Sequence, residues 1–328
     1  KGALMESCTF KELEAPPVCA RIPEDEKGTL IVASAGNTAR AFLQVCSEHA
    51  MPVVVVVPEV GLPWLWMTRE RHPCTKIVVL SDADYFDAIR LGNRLAGNPD
   101  FFPEGGAHNI SRRDGLGTVL LSAVESIGQI PEHYFQSVGS GTGGIAVWEM
   151  SQRLCKDSRF GAVKMTLHLS QNAPFTPMVD AWTEGSRTLL PGEEHEQKAQ
   201  LLATRAHVLS NRQPPYSLIG GVYDALCNSH GYMYAVSNKE ALEAGQTFLR
   251  EEECDLDPAA EVTVASLFQA LKLGKVNKHD VILLNITGGG YSLLKQHKHI
   301  YHLQPDVVLT LDALEDDRLA ERLQRKLQ

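Results

Sequence analysis

Lys11 stands in the run Cys8-Thr9-Phe10-Lys11-Glu12, and three small-residue clusters follow it at wide intervals. They are Ser34-Ala35-Gly36-Asn37-Thr38, Gly139-Ser140-Gly141-Thr142-Gly143-Gly144 and Asn285-Ile286-Thr287-Gly288-Gly289-Gly290. A lysine amine serves as nucleophile and base only when partly desolvated. Most single lysines are solvated surface groups, so Lys11 takes its meaning from what could meet it. Ser34–Thr38 lies directly between a strand pattern and a helix pattern, where free backbone N–H groups bind carboxylate or phosphate. Asn37 alone reads as a helix cap. Beside a bound ring its amide could reach a ring oxygen, and Ser34, Ala35, Gly36 and Thr38 would face a substrate carboxylate.

Gly139–Gly144 satisfies G-x-G-x-x-G between a strand and a helix, so a dinucleotide site competes for it. That site wants an acid at the end of the next strand, which here ends His168-Leu169-Ser170-Gln171. Four glycines in six residues instead suit a nest of N–H groups around one phosphate. Ser140 and Thr142 add hydroxyls to that nest. Thr287 follows the apolar run Val281-Ile282-Leu283-Leu284 and would present a hydroxyl at a strand's C-terminal end. Taken in order, an amine, a polar loop, a phosphate cradle and a hydroxyl are what a pyridoxal phosphate (PLP) site requires of one chain. A neutral hydroxyl at the ring nitrogen tempers the ring as an electron sink, which suits elimination and replacement better than transamination. A last segment, His108-Asn109-Ile110-Ser111-Arg112-Arg113, offers an anion site, with Asn109 and Arg113 as its candidates and Arg112 after them.

The elements that must position these groups alternate. Strands are expected at 29–33, 52–57 and 76–80, and helices at 38–49, 64–71, 82–95 and 113–127. A second unit follows, with strands at 134–138, 163–169, 280–286 and 306–311 and helices at 143–154, 239–252, 259–273 and 313–327. The β-α-β-α rhythm predicts parallel strands with covering helices. Residues 29–128 are expected to form a smaller α/β domain, with 1–28 and 129–328 forming a larger, phosphate-binding one.

A chain of 328 residues accommodates about two domains. Its net charge of −9 argues against a general nucleic-acid or anionic-membrane surface while leaving room for a local basic pocket. Seven cysteines, an odd number without any C-x-x-C, read as reduced thiols in a cytoplasmic protein, with no zinc or other metal framework. The longest aliphatic run, Val53–Val57, is a buried strand, far short of a membrane span. The chain opens at Lys1 just before the lysine motif, and residues upstream of it are expected.

Read together, T-F-K, S-A-G-N-T, G-S-G-T-G-G and a late threonine beside glycines resemble the PLP-dependent fold type II family, which includes threonine synthase, cysteine synthase and serine/threonine dehydratases. The resemblance runs from Thr9 to Gly290. It implies two three-layer α/β/α domains with mostly parallel sheets, as in the β subunit of tryptophan synthase. It implies Lys11 as the Schiff-base lysine, Asn37 at the ring oxygen, Gly139, Ser140, Gly141, Thr142, Gly143 and Gly144 at the cofactor phosphate, and Thr287 at the ring nitrogen. Ser-Ala-Gly-Asn-Thr-Ala-Arg-Ala and the segment 109–118 look like the threonine-synthase branch. The chain departs from that branch's N-S-x-N-P-x-R-x-x-G-Q-K-T stretch, and its Lys11-Glu12-Leu13-Glu14 departs from the usual K-D-R-G. Both departures resemble a branch member that acts in coenzyme M biosynthesis and replaces the phosphate of O-phospho-L-serine by sulfite through an aminoacrylate. The implied partners are therefore small anions, phosphoserine and sulfite, in a homodimer or larger homo-oligomer. Threonine synthesis from O-phosphohomoserine, a non-catalytic PLP or amino-acid binder, and an NAD-dependent enzyme are the competing readings.

Overall fold

The computed structural model describes residues 5–327. Lys1–Leu4 and Gln328, expected in the larger domain, lie outside the described residues. Two parallel sheets organise the chain. The first has the order Val307–Leu309, Thr75–Leu80, Val53–Pro58, Thr29–Ala33, Phe101–Pro103, and every pairing in it is parallel. Val53–Pro58 is buried at every position, as a central strand covered on both faces should be. Val53, Val55 and Val57 pack with the helix Asn37–Glu48 on one side, while Val54 and Val56 pack with Leu91 and Leu95 on the other.

The second sheet runs Tyr232–Val236, Thr166–Asn172, His133–Ser137, Ile282–Leu284, again all parallel. The helix Thr142–Asp157 follows its strand His133–Ser137. Right-handed crossovers place such helices on the faces of a sheet and leave the loops at the strands' C-terminal ends free for ligands. Ser34–Gly36, Val138–Gly141 and Asn285–Gly290 are all loops of that kind. No described helix is long and apolar enough to cross a membrane.

The structure differs from the sequence reading in instructive places. Residues 64–71 are not a helix. A 3-10 turn over Glu59–Trp64, interrupted by Pro63, leads into the short strand Trp66–Met67, which pairs antiparallel with Tyr301–His302. Proline removes an N–H and blocks helix propagation at this point. The strand Tyr232–Val236 was not anticipated. The expected domain boundaries also do not follow the packing. Val307–Leu309 joins the first sheet beside Thr75–Leu80, and Leu319 and Leu323 of the final helix pack against Val54, Val56 and Val78. Conversely, the helix Ile110–Ile127 packs with the second sheet's core, where Leu120 and Val124 meet Ile145 and Met150. Hydrophobic faces, rather than chain order, decide which unit a segment joins.

The Lys11 segment is wedged between these bodies. Phe10–Leu13 forms one 3-10 turn, and Ala15–Ala20 a short helix with proline in its first turn. Phe10 is buried against Leu116 and Ala146. Its backbone N–H donates to the Thr287 carbonyl at 2.9 Å, which ties the lysine turn to the late threonine. Gly115 allows the helix Ile110–Ile127 to lie directly on the turn, since a Cβ there would sit 2.1 Å from the Leu13 carbonyl oxygen and 2.6 Å from Pro17 Cγ. Gly115→Ala is expected to destabilise the protein by about 1–3 kcal/mol through overpacking. The urea midpoint measures this, and an unchanged midpoint would show that turn and helix separate freely.

Candidate active site

Four segments from distant parts of the chain line one cleft of about 620 Å³, open mouth included. Lys11, the loop Ser34–Thr38, the glycine loop Gly139–Gly143 and Thr287 all reach it. Gly144 does not line the cleft. It lies in the first turn of the helix Thr142–Asp157 against the Leu169 side chain, 3.0 Å from where its Cβ would be.

The glycine loop ends in a helix N-terminus. Gly141 is left-handed, with φ 80°, and a Cβ there would fall 2.2 Å from Val222 Cγ2. Ser140 and Thr142 hydroxyls lie 2.8 Å apart. The first N–H groups of a helix have no intrahelical acceptor, and this helix runs sixteen residues, so its N-terminus is a ready phosphate site. On the opposite wall, Gly36 takes φ 144° and Asn37 opens the helix Asn37–Glu48 rather than capping it. The Asn37 side chain lies near the Asp257 carboxyl group, which burial pushes above the usual aspartate range against the opposing influence of Asn37 and Arg40. Ser34 accepts from the Gly36 and Ala39 N–H groups, each at 3.0 Å. Its lone pairs and the Gly36 N–H are therefore spent on the loop, and the expected role of facing a substrate falls to its hydroxyl proton and to the backbone N–H groups of Ala35, Asn37 and Thr38, the last two in the first turn of the helix.

The anion site expected from Asn109 and Arg113 is not formed by them. The Asn109 side chain caps the helix Ile110–Ile127, accepting from Ser111 N at 2.9 Å and donating to the Glu104 carbonyl at 2.6 Å. Arg113 turns to the neighbouring helix Thr142–Asp157, with Nε 2.9 Å from Glu149 and a second bond to the Ala107 carbonyl. Arg112 is the arginine that lines the cleft. It is buried and held by Glu14 at 2.9 Å and Glu104 at 2.7 Å, with Thr38 Oγ1 3.4 Å away. Burial works against its charge, but Glu104 and Glu14 hold the guanidinium well above the ordinary arginine value.

Lys11 Nζ lies 3.3 Å from the same Glu14 carboxylate. Burial is the largest influence on the amine and pushes it below the usual lysine value. Arg112 pushes the same way, against Glu14 and Glu104. Burial alone would raise Glu14, but Arg112 and Lys11 hold it low. Tyr85, also in the cleft, is pushed up to about 12 by burial. Sequence reasoning missed Tyr85, Ser137 and Glu14. Ser137 ends the strand before the glycine loop, and that position was its one available signal.

Two buried hydroxyls in the cleft, Thr287 Oγ1 and Ser137 Oγ, have no protein partner among the described residues. Buried polar groups are nearly always paired, so these two ask for a ligand atom. With the amine of Lys11 and the helix N-terminus behind Gly141, the residues present fit PLP: a carbonyl-reactive amine, a phosphate nest and a hydroxyl for a ring heteroatom.

A family model described as "Pyridoxal-phosphate dependent enzyme" matches residues 3–288. The chain belongs to this family. PLP is its cofactor, and its fold is that of the type II PLP enzymes. Its relatives include the cysteate synthase of Methanosarcina acetivorans, 46% identical over 94% of this chain and 75% of that protein. The cysteate synthase of Methanoculleus marisnigri is 48% identical over 93% of this chain and 71% of that protein. Among solved structures, maize serine racemase superposes with a TM-score of 0.66 at 13% identity, covering 90% of this chain and 84% of that one. Threonine deaminase isoform 2 from Solanum lycopersicum gives a TM-score of 0.65 at 15% identity, covering 89% and 79%. These structures share the fold of this PLP-dependent enzyme, while the sequence relatives bear on its chemistry.

Proposed function

We propose that this PLP-dependent enzyme catalyses β-replacement on O-phospho-L-serine, exchanging phosphate for sulfite to give L-cysteate, in the service of coenzyme M biosynthesis. The observation that carries this reading is the convergence of Lys11, the glycine loop and Thr287 on one cleft in a chain whose relatives at 45–51% identity are named cysteate synthase. Bound PLP supplies an electron sink for charge developing at Cα.

The residues divide the remaining work. Lys11 Nζ holds the cofactor, then takes the Cα proton and returns it. The N-terminus of the helix Thr142–Asp157 binds the cofactor phosphate, Thr287 bonds the ring nitrogen, and Asn37 orients the ring. The backbone of Ser34–Thr38 receives the substrate carboxylate. The phosphate leaves Cβ with the electron pair of the C–O bond, and the sulfite sulfur donates its own pair to form the C–S bond. Seven cysteines, an odd number without any C-x-x-C, support a reducing, cytoplasmic setting, and the family resemblance supports a homodimer or larger assembly.

The test is product analysis with the PLP-loaded protein. Phosphoserine with sulfite is expected to yield phosphate and cysteate. Threonine from O-phosphohomoserine, without cysteate from phosphoserine, overturns the proposal.

A further inference from the structure

Glu14 follows Lys11 by three residues, at the end of the 3-10 turn Phe10–Leu13. In such a turn residues three apart eclipse one another, so the spacing puts an acid directly beside the amine. Glu14 is fully buried, at 0% side-chain exposure. Its Oε2 accepts from Lys11 Nζ at 3.3 Å and from Arg112 Nε at 2.9 Å. Arg112 is held at its other end by Glu104. A buried carboxylate stays charged only when paired, and Arg112 provides that pairing. The groups that bear on Glu14 and Lys11 are Arg112 on the helix Ile110–Ile127, Glu104 after the strand Phe101–Pro103, and Tyr85 at the start of the helix Tyr85–Leu95.

We propose that Glu14 is a positioning residue for Lys11: anchored by Arg112, its carboxylate holds Nζ at the cleft and favours the protonated amine. The proposal rests on Lys11 being the cofactor lysine. That lysine needs both charge states, free to attack and to take a proton, protonated to give one back. Burial and Arg112 alone drive the amine towards neutrality. Glu14 opposes them and keeps the protonated form accessible.

The experiment uses the full chain as wild type, Glu14→Gln and Glu104→Gln. Borohydride reduction with PLP, followed by peptide mapping, is expected to label Lys11 in all three. A label on another lysine overturns the cofactor reading, and the proposal with it. The pH dependence of Lys11 acylation by acetic anhydride is then followed in the cofactor-free chain. Glu14→Gln is expected to lower the midpoint, so that below it Lys11 reacts about tenfold faster than in wild type, the equivalent of one pKa unit. Glu104→Gln deletes a buried carboxylate that does not touch Nζ and is expected to change the rate less than about threefold. Labelling at Lys11 with equal acylation rates in wild type and Glu14→Gln, or an equal increase in Glu104→Gln, overturns the proposal while leaving the cofactor reading intact. Should Glu14→Gln fail to fold, Glu14→Asp is read instead. Withdrawing the carboxylate by one methylene is expected to shift the midpoint the same way by less, and an unchanged midpoint overturns the proposal.

Discussion

Lys11→Ala is expected to slow phosphate release from phosphoserine by about 10²–10⁴-fold, the range that positioned proton transfer contributes, and loss of the covalent tether adds to it. Among the described residues Lys11 is the one lysine that lines the cleft, so no neighbour stands ready to replace it. The phosphate nest at Gly139–Gly143 and the Thr287 hydroxyl remain in Lys11→Ala. Cofactor is therefore expected to bind more weakly but still to occupy the cleft, which separates loss of chemistry from loss of binding. Small primary amines added to the variant are expected to restore part of the rate, because they supply the missing base. Single-turnover phosphate release measures both effects. Turnover near the wild-type rate would place the cofactor lysine elsewhere.

The groups legible in the sequence were those whose local chemistry is unusual. Glycine-rich runs at strand–helix junctions announce themselves because few other residues tolerate the backbone there, as Gly36 at φ 144° and Gly141 at φ 80° show. Aliphatic runs such as Val53–Val57 announce a doubly covered strand. What the sequence left open was direction. Arg112 and Arg113 are adjacent, and on a helix adjacent residues point about 100° apart. The choice between them lies in the residues three and four further on. Gly115 and Leu116 are buried against Leu13 and Phe10, so Arg112 shares their face and turns to the lysine segment. That periodicity was readable, but an arginine on an inward face is expected only when carboxylates await it. One of those, Glu104, lies in a loop, and the other, Glu14, stands in the turn between Phe10–Leu13 and Ala15–Ala20, where no periodic pattern announces its direction. Membership of Val307–Leu309 in the first sheet was not readable either. A parallel partner more than two hundred residues away along the chain, such as Leu80 for Leu309, leaves no local trace.

Alanine at each of the two arginines should therefore give opposite results. Arg112→Ala leaves Glu14 and Glu104 buried without their shared cation, a loss expected to cost about 3–5 kcal/mol. Arg113→Ala removes a mostly buried pair with Glu149, with 17% and 28% of the two side chains exposed, and is expected to cost less, about 1 kcal/mol, with phosphate release little changed. The pH dependence carries a further signature. In the wild type Glu14 is held below its ordinary value, so its contribution to stability is present above the unfolded-state value and is lost as the pH falls through the folded one. Without Arg112 the desolvation of Glu14 dominates and raises its folded value, so the penalty grows as the pH rises instead. The deficit of Arg112→Ala relative to wild type is expected to be larger at about pH 8 than at about pH 5, read from urea midpoints at each. A deficit independent of pH would mean that Arg112 matters for its packing and not for its charge. A larger deficit in Arg113→Ala would make its pair with Glu149, and not the Arg112 cluster, the stronger anchor of this helix.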